Sequence, residues 1–156
     1  MESLGLKLHK VWRALEWLLS IFGTVNCVWL ANTVWRYQLS IPDVTINQIW
    51  PLPALFLIEI VLISAVTLYI VIMNNDTTPI RVAPLPWVSA GLLSVFIIVA
   101  GFSFGTGLIP ATGAFLGAGI FSDIRQEQSI LKHSGYFLLA VFCQSILIFA
   151  ILLIQA

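Results

Sequence analysis

Charge is what this sequence most lacks. Asp, Glu, Lys and Arg make up 9% of its 156 residues, where a soluble domain carries about 25%. So few charges cannot cover a water-exposed surface, which excludes an ordinary soluble globule. The charges also balance, seven Lys and Arg against seven Asp and Glu, so no basic surplus invites nucleic acid and no acidic surplus invites cations. Disorder is excluded by the 60% hydrophobic content, because disordered chains combine low hydrophobicity with high net charge.

Cysteine and histidine are scarce as well. Cys27 and Cys143 each lie inside an apolar run, form no C-x-x-C, haem-attachment or zinc-ribbon spacing, and read as small packing residues. His9 and His133 each stand just ahead of an apolar run. That places them at headgroup level, too shallow to ligate a buried macrocycle, and zinc would need further ligands. Neither a metal nor a cofactor is expected.

What is present is apolar length, with a mean hydropathy of +1.01. A membrane helix needs about 20 mostly apolar residues. The pattern predicts spans over 11–35, 51–73 and 134–154. Lys7, Lys10 and Arg13 ahead of the first run resemble the start of a signal peptide. The run is longer than a signal core and no A-x-A site follows, so it is expected to be a retained span. The stretch from 84 to 121 is too long for one span and is broken by Gly101, Gly105, Gly107 and Pro110. Either two helices, 86–104 and 108–121, form a tight hairpin, or one span is followed by a re-entrant segment.

Charge separates the two, because Lys and Arg accumulate in cytoplasmic loops. Five spans with the N-terminus inside put Lys7, Lys10, Arg13, Arg81, Arg125 and Lys132 inside and leave only Arg36 outside. Four spans would move Arg125 and Lys132 outward. Aromatics fit the same layout: Trp35, Tyr37 and Trp50 at the outer boundary, and Trp12, Tyr69, Trp87 and Tyr136 at the inner one. The expected fold is therefore an all-α integral membrane protein, a single domain over 1–156 built as a bundle of five transmembrane helices. The alternative is four helices plus a re-entrant segment. The fourth span is expected to be the short one. The N-terminus is expected in the cytoplasm, in a plasma or inner membrane. That placement would leave the sequon at Asn75 unmodified.

Glu59 is the deepest charge, about 12 Å into the second span at 1.5 Å per residue. An ionised group near the bilayer centre costs about 2.5–3.5 kcal/mol, so such a residue pairs with polar neighbours or carries a function. Counted by depth, Asn26 of the first span and Gln144 of the last fall near it, and Glu59, Asn26 and Gln144 are expected to form an intramembrane polar cluster. Gly113-Ala114-Phe115-Leu116-Gly117 is a G-x-x-x-G. Gly113, Ala114, Gly117 and Ala118 are expected to form a face on which helices pack closely, within the bundle or against another subunit. Glu16 reads as a surface ion pair with Arg13, and Asp123, Arg125, Glu127 and Lys132 as a solvated loop. No nucleophile stands near a base at matching depth, so an enzyme is not expected. With almost no mass outside the bilayer, the leading expectation is a non-catalytic accessory or scaffold subunit. It would pack against the lipid bilayer and other membrane subunits, or against copies of itself. The alternative is a small transporter or ion-coupled carrier using Glu59.

Overall fold

The computed structural model describes residues 2–41, 52–73, 84–101 and 104–155. Among them every regular element is helical: α1 (Glu2–Ser40), α2 (Leu52–Met73), α3 (Leu85–Val99), a 3-10 turn (Gly105–Leu108), α4 (Ile109–Arg125) and α5 (Ile130–Gln155). Four segments are long and apolar enough to cross a membrane, His9–Ser40, Ala54–Met73, Gly105–Arg125 and Ile130–Ile151, and α3 is a shorter apolar helix.

The helices run alternately up and down. Cross-helix hydrogen bonds between Glu16 and Arg125, Trp87 and Asp123, and Thr67 and Ser89 bring the first half of α1, the end of α2, the start of α3 and the end of α4 to one end. α1 packs between α2 and α4, α3 packs between α4 and α5, and α2 also touches α3. α2 shows how such an apolar helix is used. It buries only the stripe Ala54, Leu57, Ile60, Ser64, Thr67 and Val71, while Leu55, Ile58, Leu62, Val66 and Ile72 stay exposed. A helix that is apolar all round but buries one stripe leaves an outer surface suited to lipid. The core gathers Cys27, Leu30, Ile60, Leu93, Phe96, Phe115 and Ile148.

The short helix is α3 rather than the fourth. At 15 residues it is about 22 Å long, against a hydrocarbon core of about 30 Å. The chain turns after Val99: the Ala100 amide donates to the Phe96 carbonyl, and the Gly105 amide donates to the Ala100 carbonyl at 2.7 Å. A Cβ on Gly105 would stand 2.6 Å from the Ile97 carbonyl oxygen, so the reversal requires glycine there. The 3-10 turn then leads directly into α4, with Pro110 in the first turn where its missing amide hydrogen costs nothing. α4 continues past Phe121 to Arg125, and α5 begins already at Ile130. Between them Glu127 takes a left-handed conformation (φ 53°) and the Gln128 amide donates to the Asp123 carbonyl. This helix-ending turn keeps the two helix termini together.

Candidate functional site

The most polar part of the interior lies where α1, α3, α4 and α5 meet. Glu16, 1% exposed, comes from the first half of α1. Arg125 of α4, also buried, donates from Nε to its Oε2 at 3.1 Å. The Ser122 hydroxyl lies beside the same carboxylate, and Gln126 Nε2 donates to Ser122 Oγ at 3.4 Å. Arg125 sits in the last turn of α4, where the helix dipole favours a cation. Two residues back, Asp123 is completely buried. Its two oxygens accept from Trp87 Nε1 of α3 at 3.1 Å and from His133 Nδ1 of α5 at 2.6 Å. An ionised Asp123 can only accept, and in that state the proton between them belongs to Nδ1.

Local sequence makes these contacts feasible. A Cβ on Gly119 would stand 2.8 Å from Trp87 Nε1, so glycine at this position lets the indole lie against α4 and reach Asp123. Trp12 stacks on Phe121 at 5.3 Å beside the network. Deeper in the bundle, Thr67 and Ser89 share a hydrogen bond of 2.5 Å that ties α2 to α3. Chemically the network offers an aspartate that orients an imidazole, the arrangement used to hold a general base. Among the described residues, the side-chain hydrogen-bond partner of the His133 ring is Asp123. No third His, Cys, Asp or Glu among them completes a metal-binding group with this pair.

Of the expected polar cluster, the structure joins two members. Gln144 Nε2 of α5 donates to Glu59 Oε1 of α2 at 2.9 Å. Asn26 is not with them, and its Oδ1 is buried without a hydrogen-bond partner. The cause is helix register. Thr24 Oγ1 donates to the Ser64 carbonyl, which sets Glu59 level with α1 residues about one turn beyond Asn26. The expected glycine face divides as well. Ala114 and Ala118 are buried, and a Cβ on Gly117 would meet only the tip of Leu19 at 2.9 Å. Gly113 is exposed, with open space where its Cβ would be. The closest interhelical approach at a glycine is instead at Gly91, where a Cβ would stand 2.6 Å from the Phe137 carbonyl oxygen.

Sequence reasoning placed Glu16 on the helix surface, His133 at headgroup level, and Asp123 and Arg125 in a solvated loop. All four are buried. One signal pointed the other way: Leu116, Ile120 and Ile124 keep a four-residue apolar spacing past Phe121, which carries the helix through Asp123 to Arg125. No protein family, curated protein or solved structure matches the chain.

Proposed function

We propose that this chain is a non-catalytic subunit or scaffold of a membrane assembly, with its ionic network at the cytoplasmic face. The observation that carries this reading is the pairing of its buried and half-buried carboxylates. Glu16, Asp123 and Glu59 are each hydrogen-bonded to a side chain of another helix. Groups engaged in holding helices together are not free to relay a solute. Three grooves on the surface, along α1 and α2, along α2 and α3, and beside the 3-10 turn, include none of these carboxylates. Outward, α1, α2 and α5 present large apolar side chains such as Leu18, Leu62, Leu138 and Phe149, suited to lipid and to neighbouring membrane helices. The orientation rests on the cations. Lys10, Arg13 and Lys132 belong to the helix ends that form the network, while Arg36 lies towards the far end of α1, and cytoplasmic ends collect positive charge.

A carrier that uses Glu59 is the second reading, favoured by the half-buried position of that carboxyl and its single amide partner, Gln144. One preparation separates the two. Purified from its native membrane in mild detergent, the protein is expected to carry partner chains in fixed ratio, and in liposomes to leave an imposed proton gradient intact. Proton flux in the wild type that vanishes in a well-folded Glu59→Gln variant would overturn the subunit reading, because an amide cannot release a proton.

A further inference from the structure

A groove of about 470 Å³ runs along the lipid-facing side of α1 and α2, towards the end of the bundle away from the ionic network. Buried Ala31, Ala54 and Leu57 form its floor, and exposed Val28, Ile58 and Leu62 form its rim. The two alanines leave the space that larger side chains would have filled. From Val28 to Trp35 the groove follows α1 for about 10 Å, a length within one leaflet. At its far end Trp35 and Asn32 also line it. Asn32 Oδ1 accepts a hydrogen bond from Arg36 Nε at 3.2 Å, which holds the guanidinium at the mouth. Along α1, Arg36 lies about 30 Å from Glu16, one hydrocarbon thickness. The cation therefore stands at headgroup depth when the network lies at the opposite interface.

We propose that this groove is a site for an anionic phospholipid, with an acyl chain between α1 and α2 and the net negative headgroup held by Arg36 through its phosphate, uncompensated by a choline cation. The apolar walls match a hydrocarbon chain, and a guanidinium binds phosphate through paired hydrogen bonds in a fixed fork. Trp35 belongs at the same depth, where its ring is apolar and its N–H meets the headgroups. A second copy of the chain fits less well. A two-fold contact through this groove would bring two Arg36 side chains to the same level, and like charges repel. The site requires only that the bundle lies in a bilayer, so it stands apart from the choice between subunit and carrier.

Native mass spectrometry of the delipidated protein, incubated separately with dioleoyl phosphatidylglycerol and dioleoyl phosphatidylcholine, tests it. The expected result is one phosphatidylglycerol retained under conditions that strip phosphatidylcholine. Arg36→Gln is expected to lower that retention about tenfold, and Ala31→Leu, which fills the floor, to abolish it. Ile58→Trp, placed on the exposed rim, is expected to lower phosphatidylglycerol retention and keeps the test open if Ala31→Leu does not fold. Equal retention of the two lipids by the wild type, or unchanged retention in Arg36→Gln, would overturn the proposal. So would a wild-type dimer that Ile58→Trp dissociates, since the groove would then be an interface between copies.

Discussion

Asp123 shows how a full charge is accommodated in an apolar bundle. A buried carboxylate without donors would be strongly destabilising, and here the indole of Trp87 and the imidazole of His133 each supply one. Its substitutions separate shape from charge. In Asp123→Asn the amide oxygen still accepts from Trp87, and the amide nitrogen can donate to His133 once the ring takes its other tautomer. The expected loss is about 1 kcal/mol, a typical net hydrogen bond. Asp123→Leu strands both donors and is expected to cost about 2–5 kcal/mol, since each buried unsatisfied group costs about 1–3 kcal/mol. Unfolding of both variants in mild detergent gives the ranking, and equal losses would show that the donors find other partners. At this scale the sequence was only partly legible. Glu59 and Gln144 lie far inside their spans, so counting helical rise brought them to similar depths. Asn26 escaped the count because α1 continues to Ser40 rather than stopping near residue 35, which shifts the zero of the depth scale. Asp123, Arg125 and His133 were missed because falling hydropathy marks where water is expected. It does not mark where a helix ends, and it cannot foresee charges that neutralise one another across helices.

Among the elements, α3 has the most constrained position. It is the shortest of the five helices, yet Trp87, Ser89, Ala90, Leu93, Val95 and Phe96 are all buried along it. Gly91 sets its distance from α5, because the atom a Cβ would strike is the backbone oxygen of Phe137. A backbone cannot yield as a side-chain tip does. Gly91→Ala is therefore expected to destabilise by about 1–3 kcal/mol, the usual range for overpacking. Gly113→Ala, facing open space, is expected to stay within about 0.5 kcal/mol of the wild type. Thermal unfolding of the two variants side by side checks the contrast, and a larger loss at Gly113 would reverse the assignment. The helices themselves were legible from apolar run length, and the break between α3 and α4 from its glycines and proline. Which helix was the shorter was not, because the sequence over 100–104 is as apolar as a helix interior. The turn is decided by Gly105 packing against the Ile97 carbonyl, a contact that only the folded chain displays.

For the whole molecule, the alternation of helices gathers the buried ions at one end and leaves Arg36 towards the other. Single cysteines at Lys132 and Arg36, in a background lacking Cys27 and Cys143, are expected to label from opposite sides of sealed vesicles, Lys132 from the cytoplasmic one. Labelling of both from the same side would contradict the alternation. Closure of the bundle depends on contacts distant in sequence. Foremost is the pair between Glu16 and Arg125, 109 residues apart, which joins the first helix to the fourth. Removing one member of such a buried pair costs about 3–5 kcal/mol, whereas replacing both by apolar side chains is often neutral. The central claim, that these charges serve as an interhelical clamp, is tested most directly by the unfolding temperatures of Glu16→Leu, Arg125→Met and the double variant, measured in one detergent. The clamp predicts that both single variants unfold well below the wild type and that the double variant unfolds above either of them. A double variant whose loss equals the sum of the two single losses would contradict it.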